Sequence, residues 1–152
     1  MQPFRRFLLQ RPRFAAGLSF GLSTAIVTHF AWYPNARLNG MVPVLTLAAG
    51  LAHAAGGAIT GARLIDVTRT PTALHAAMLG AGTSLLALAF FAPAMAAYVS
   101  ASNAGHTDAL GYLALTLFTG LFAFLGAGWG LLLLSAGVGL GLHRLATTAA
   151  AA

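Results

Sequence analysis

The sequence predicts an all-α integral membrane protein with four transmembrane helices. Hydrophobic residues make up 59% of the chain and charged residues only 7%, and the mean hydropathy is +0.82; soluble domains are far more polar. Four apolar stretches are each long enough to cross the ~30 Å hydrocarbon core of a bilayer. They are Ala15–Tyr33, Met41–Ala62, Thr72–Val99 and Leu110–Leu142.

The distribution of positive charge predicts the orientation. All eight basic residues are arginines. If both termini are cytoplasmic, Arg37 alone lies outside. An excess of arginine in short cytoplasmic segments is the positive-inside pattern, so the sequence predicts an N-in/C-in topology. The arginines then on the cytoplasmic side are Arg5, Arg6, Arg11, Arg13, Arg63, Arg69 and Arg144.

Residues 1–14 form a short basic segment in which arginines alternate with phenylalanine and leucine. This pattern is typical of a segment lying at the cytoplasmic membrane surface. A secretory signal is the alternative. The apolar run that follows is of span length and ends in the aromatic pair Trp32–Tyr33, which suits a membrane interface. We therefore expect it to be the first transmembrane helix.

Prolines and polar residues delimit the middle helices. Pro34 ends the first span before a tight outer turn, and Pro43 is tolerated in the first turn of the second helix. Thr70 and Pro71 form an N-cap and first-turn signal for the third helix. Pro93 is expected to kink that helix or loosen its last turns.

The fourth apolar run is too long for one straight span. Leu110–His143 would measure about 50 Å as an α-helix. Either the helix breaks or bends near Gly126–Gly130, or it extends past the cytoplasmic surface. Thr107 or Asp108 is expected to cap its start. Residues 145–152 form an Ala/Thr-rich tail, and the transmembrane domain is predicted to span residues 15–144.

Glycines with GxxxG spacing are the dominant local pattern. In lipid, small residues let helix backbones approach closely, because apolar burial itself does not drive association. Two interpretations are open: packing within the four-helix unit, or docking of other chains. The candidate helix-docking residues are Gly17 and Gly21, Gly57 and Gly61, Gly126 and Gly130, and Gly137 and Gly141.

Several classes of function are disfavoured. The chain has no cysteine, which excludes iron–sulfur clusters, disulfides and c-type haem. Its two acids, Asp66 and Asp108, fall outside the spans, which argues against ion-coupled transport. With His106 they are the only reactive side chains of the loops, so we expect no enzymatic activity and no metal site. The arginines are spread over separate cytoplasmic segments, which fits contact with anionic lipid rather than nucleic acid.

Histidines are the remaining candidates for a bound group. Imidazole within a helix can ligate haem b or a chlorophyll-type pigment. His75 and His143 lie at similar predicted depths, and His53 is the deepest. The alternative is that His29 and His143 are interfacial, His106 is solvated, and His53 makes one interhelical hydrogen bond. Hydroxyls within the spans, among them Thr60, Thr83, Ser84 and Thr116, are expected to bond back to their own helices.

The preferred interpretation is an accessory or structural subunit of a larger bacterial membrane complex, of the energy-converting kind. The absence of Lys and Glu beside abundant Ala, Gly and Arg indicates a high-GC bacterial genome, and hence a cytoplasmic membrane. The expected partners are the lipid bilayer and other membrane subunits or further copies of the chain. Two alternatives stay open: a homo-oligomeric channel or transporter for a neutral or anionic solute, and a haem- or pigment-carrying subunit.

Overall fold

The computed structural model describes residues 7, 9–32, 40–66, 68–69, 72–102 and 108–150, and all regular structure in these ranges is helical. Four helices are long and apolar enough to cross a membrane, which confirms the predicted all-helical architecture and the predicted number of candidate spans. The elements are α1 (Pro12–Trp32), α2 (Val42–Ile65), α3 (Ala73–Ser102), α4 (Ala109–Ala123), a π-helical turn (Phe124–Gly128) and α5 (Trp129–Ala150).

The helices run past the apolar stretches that predicted them. Helix α1 begins at Pro12 and includes Arg13, and α5 continues past Arg144 to Ala150. Hydropathy marks where the apolar residues end, whereas Ala, Leu and Arg all favour helix and do not stop it. The predictions that concern Arg5, Arg6, Tyr33, Pro34, Arg37, Thr70, Pro71, His106 and Thr107 lie outside the described residues.

Side-chain caps explain two of the helix starts. The carboxylate of Asp108 accepts a hydrogen bond from the backbone N–H of Gly111 at 2.7 Å, which confirms the predicted cap of α4. At the start of α3, Thr72 Oγ1 accepts a hydrogen bond from the backbone N–H of His75 at 3.1 Å. Each bond satisfies one of the N–H groups that a helix leaves free in its first turn.

Asp66 organises the joint that follows α2. Its Oδ1 accepts hydrogen bonds from the hydroxyl of Thr68 at 2.6 Å and from the backbone N–H of Thr68 at 3.1 Å. Its Oδ2 lies 3.1 Å from Nε of Arg69. The Thr68 hydroxyl above all, with further help from the Thr68 and Arg69 N–H groups and the Arg69 charge, holds the pKa of Asp66 below its ordinary value.

The helices converge at one end of the bundle, where Pro12, Ile65, Ala73 and Ala150 lie; we call this the arginine end. Residues from α1, α2, α3 and α5 share a single core cluster there. Four of the eight are alanines, which let the helix backbones lie close together. The cluster consists of Ala15, Ala16, Phe20, Leu64, Ile65, Ala76, Leu142 and Ala146.

The last span divides into two halves. No residue of α4 is buried, and α4 packs chiefly against α3. Tyr112 of α4 donates a hydrogen bond to the carbonyl oxygen of Pro93 at 2.8 Å, and α3 remains helical on both sides of that proline. The π-helical turn Phe124–Gly128 joins the halves at the predicted weak point, and the helix continues through it without a break. A bend at this position stays a prediction.

Candidate functional site

A buried histidine occupies the middle of α2. His53 is 4% exposed, and its Nδ1 lies 3.0 Å from the carbonyl oxygen of Ala49, one turn earlier in the same helix. A carbonyl oxygen only accepts, so Nδ1 carries a proton. The other ring nitrogen, Nε2, lies 3.2 Å from Oγ of Ser84 on α3. The imidazole therefore joins α2 to α3 by a side-chain hydrogen bond deep within the bundle.

Ser84 extends this link to the last span. Its Oγ lies 2.7 Å from Oγ of Ser135 and 2.9 Å from the carbonyl oxygen of Leu131, both on α5. Side chains from three helices thus meet at one level. We call the set His53, Ser84 and Ser135 the hydrogen-bond node.

The donors of the node can be counted. With neutral imidazole, Nε2 of His53 accepts the single proton of Ser84, and Ser135 donates to Ser84 Oγ. With imidazolium, Nε2 donates to Ser84, and the Ser84 proton turns to the carbonyl oxygen of Leu131. Every member of the node keeps a partner in either charge state, which is what a buried polar group requires.

Glycines bring the three helices close enough for these bonds. A Cβ added at Gly56 of α2 would lie 2.9 Å from the carbonyl oxygen of Thr83, and one at Gly139 of α5 would lie 2.6 Å from that of Ala76. One at Gly80 of α3 would collide with the backbone of Ser135. Larger residues at these positions would separate the helices and pull the node apart.

A second polar contact between α2 and α3 joins Thr60 and Thr83. Their hydroxyl oxygens are 2.8 Å apart, and each also bonds to a carbonyl of its own helix, Gly56 and Leu79 respectively. The expected bond back to the same helix is therefore present for both threonines. It is absent for Ser84, which bonds to α5 instead.

The node has the residue types of a base and a nucleophile but not the access that catalysis needs. His53 Nε2 faces a serine hydroxyl, as in nucleophilic enzymes. Contacts from α2 and α5 surround Ser84 Oγ, so an acyl substrate would have to displace α5 to reach it. The geometry suits a lock between helices.

The three histidines predicted as ligands occupy three different environments. Nε2 of His53, the nitrogen left to bind iron or magnesium, already faces Ser84. His75 is exposed, whereas His143 is buried and its Nδ1 has no hydrogen-bond partner. Ala76 lies on the side of α3 that faces α5. Neighbouring residues of a helix are about 100° apart around its axis, so His75 points away from that side. The structure therefore does not bring His75 and His143 together.

Among the described residues, no three His, Asp or Glu side chains gather into a group that could hold a metal ion. Ligation of haem or pigment by His53, His75 or His143 stays a prediction.

The eight candidate glycines divide into two groups. Those of the first two helices lie between α1 and α2. An added Cβ would lie 2.9 Å from Ala54 O at Gly17 and from Ala54 Cβ at Gly21. It would lie 2.7 Å from Phe20 Cδ2 at Gly57 and 2.5 Å from Ala16 Cβ at Gly61. These four glycines are occupied by contacts within the chain.

The glycines of the last span are open. An added Cβ at Gly126, Gly130, Gly137 or Gly141 would meet nothing within 4 Å. Gly130, Gly137 and Gly141 fall within about 40° of one another around α5, because residues seven and eleven apart nearly coincide on a helix. We call these three residues the open glycine face.

Two large apolar side chains flank the open glycine face. Trp129 is 65% exposed and Leu133 is 76% exposed. Leu131 and Ser135 are level with His53, the middle of α2, so Trp129 lies within about 10 Å of mid-depth. Its indole N–H forms no hydrogen bond with any described residue, although buried or lipid-embedded indoles ordinarily have a partner.

Sequence reasoning found His53 and missed Ser135. Ser135 stands alone in a long run of leucine, alanine and glycine, and such an isolated polar residue is a signal in itself. Which helix it faces depends on the rotation of α5, which hydropathy does not give. Comparisons of the chain with models of protein families, with curated proteins and with solved structures found no match.

Proposed function

We propose that this protein is an accessory subunit of a larger membrane complex and that it docks through the open glycine face of α5. One observation carries the proposal: Gly130, Gly137 and Gly141 meet nothing within 4 Å, whereas the glycines between α1 and α2 and between α3 and α5 lie against a neighbouring backbone. A face made of small residues lets a further helix approach closely in lipid.

The aromatic side chain beside this face supports the same proposal. An indole N–H facing hydrocarbon lacks the partner that it would have in water or at the interface. A docked helix supplies backbone or side-chain acceptors at that depth. Trp129 and Leu133 then pack at the edge of the contact rather than in lipid.

The charge on this side of α5 favours a different subunit over a second copy of the chain. Arg144 lies near the open glycine face at the arginine end and is exposed. The chain has only two acids: Asp66 is held by Arg69, and Asp108 caps α4. A second copy therefore brings no unpaired Asp or Glu side chain to Arg144, whereas another subunit can.

For the membrane setting, we propose a bacterial cytoplasmic membrane with both termini inside. Seven of the eight arginines then lie on the cytoplasmic side, which is the arrangement that positive-inside counting favours. The exposed apolar side chains along all four spans face lipid.

The test is purification of the tagged, full-length chain from its native membrane in mild detergent. We expect defined partner chains with the wild type and their loss with Gly137→Leu and Gly141→Leu. Gly82→Leu is the matched control, because Gly82 of α3 also meets nothing within 4 Å but lies on another helix.

Recovery of a monomer without partners would contradict the proposed function. So would full retention of the partners by the double variant. Recovery of a homo-oligomer that the double variant dissolves would assign the open glycine face to a second copy and favour the channel or transporter interpretation instead.

A further inference from the structure

The turn before α1 and the first half of α1 carry one arginine within an apolar stripe. Phe7, Arg11, Phe14 and Leu18 follow one another at the spacing that aligns residues on one face of a helix. Two hydrogen bonds of helical spacing connect Phe7 to α1 through Arg11, which lies in a bend before the helix: Arg11 N–H donates to Phe7 O at 2.9 Å and Ala15 N–H donates to Arg11 O at 3.0 Å. These four residues, continued by Leu22, are called the α1 stripe.

Four of the five residues of the α1 stripe face away from the protein, whereas Phe7 packs partly against the core cluster. Ala15, Ala16 and Phe20, on the other side of the helix, are buried in the core cluster. Arg11 is exposed, and Phe14, Leu18 and Leu22 are between 43% and 59% exposed. The rings of Phe7 and Phe14 meet edge to face with centroids 5.8 Å apart, on either side of Arg11 along the helix.

The surrounding charge favours an anion at Arg11. Arg11, Arg13, Arg63, Arg69 and Arg144 all lie at the arginine end, and Asp66 is the acid found there among the described residues. Asp66 is already held by Arg69 Nε at 3.1 Å. Neither Arg11 nor Arg13 forms an ion pair with a described side chain, so both guanidinium groups are available.

We infer that the α1 stripe binds an anionic phospholipid of the leaflet at the arginine end. The guanidinium of Arg11 holds the phosphate, for which its planar set of N–H donors is suited, and Arg13 adds charge nearby. One acyl chain lies along Phe14, Leu18 and Leu22.

The length of the α1 stripe favours a phospholipid over free phosphate. The polar end of the stripe is a single turn long, and its apolar part continues for two further turns into the span. Free phosphate would use the polar end alone. A zwitterionic lipid brings a cationic headgroup to an end of the bundle that is already positive, so a net-negative headgroup is preferred. This inference does not depend on docking at the open glycine face.

The experiment is native mass spectrometry of the full-length protein, titrated in detergent with phosphatidylglycerol or phosphatidylcholine. We expect tighter binding of phosphatidylglycerol by the wild type and about fivefold weaker binding after Arg11→Gln, the effect of one arginine at a membrane surface. Arg11→Lys should retain most of the preference. Arg69→Gln is the matched control, because it removes the same charge at a site already neutralised by Asp66.

Equal binding of the two lipids by the wild type would overturn the inference. Equal losses from Arg11→Gln and Arg69→Gln would also overturn it, since net charge alone would then be responsible. Displacement of phosphatidylglycerol by millimolar inorganic phosphate would show a simple anion site in place of a lipid site. Circular dichroism of each variant checks that the helices are intact.

Discussion

Nε2 of His53 lies 3.2 Å from Oγ of Ser84, and this contact ties the middle of α2 to α3. Oγ of Ser84 also lies 2.7 Å from Oγ of Ser135, which extends the link to α5. Two residues separated by 31 positions in sequence thus form the centre of a three-helix lock.

The first prediction concerns the strength of this lock. Ser135→Ala and Ser84→Ala should each lower the free energy of unfolding in detergent by about 1 kcal/mol, and their double-mutant coupling should be about 0.6 kcal/mol, as for other interhelical hydrogen bonds in membranes. Titration with a denaturing detergent measures both quantities. Ser102→Ala is the control, since its hydroxyl bonds only to the carbonyl of Tyr98 in its own helix. A coupling of zero would mean that the two serines act separately.

The second prediction separates glycines that pack within the chain from those that do not. Gly61→Leu should destabilise the protein by about 1–3 kcal/mol, the usual range for overpacking, because its new Cβ would lie 2.5 Å from Ala16 Cβ and 2.9 Å from Pro12 O. Gly141→Leu should leave the stability of the isolated chain unchanged or slightly higher, because leucine favours helix over glycine. Thermal unfolding of the purified variants measures both changes in stability. Equal destabilisation by both changes would contradict the packing of Gly61 against α1 and the open position of Gly141.

These glycines show that the GxxxG spacing does not determine which helix packs against it. Gly57 and Gly61 have the same spacing as Gly137 and Gly141, yet the first pair lies against α1 and the second against no described residue. The spacing indicates that a backbone can approach, but the identity of the approaching helix depends on rotation and register. Span number and the Asp108 cap were predictable because apolar length and local hydrogen bonding determine them.

The same reasoning explains the partial prediction of the node. The depth of His53 follows from counting residues along one helix. Its partner does not, because Ser84 and Ser135 come to the same level only once α3 and α5 are packed through Gly80 and Gly139.

The third prediction is the topology. The chain has no native cysteine, so single cysteines can be placed without background. Ala36→Cys and Ala104→Cys should react with a membrane-impermeant maleimide added to intact cells, and Val67→Cys should react only after the membrane is opened. The reverse pattern would overturn the proposed N-in/C-in orientation.

The fourth prediction concerns pH and the joint after α2. Because the hydroxyl of Thr68 is the largest cause of the lowered pKa of Asp66, Thr68→Ala should raise that pKa toward the ordinary ~3.9, and by more than Arg69→Gln does. Because folding lowers the pKa of Asp66, its ionised carboxylate stabilises the joint at pH values above the pKa of the unfolded chain. This stabilisation is lost as the pH falls through the pKa of the folded chain. NMR titration of the labelled Asp66 carboxyl measures the shift. A larger effect from Arg69→Gln would assign the shift to charge in place of hydrogen bonding.

The last prediction tests the π-helical turn as a register device. A π turn takes one residue more than an α turn, because its hydrogen bonds run from residue i to i+5. Deleting Gly126 should therefore convert Phe124–Gly128 into regular α-helix while α4 keeps its rotation relative to α5, because the π turn already accommodates the extra residue. Tyr112 should then still donate to the carbonyl oxygen of Pro93, as its hydroxyl now does at 2.8 Å. Tyr112→Phe should cost about 1 kcal/mol both in the intact chain and in the deletion variant. If Tyr112→Phe cost nothing in the deletion variant, the deletion would have rotated α4 away from α3, and the π turn would not be accommodating one residue of helical register.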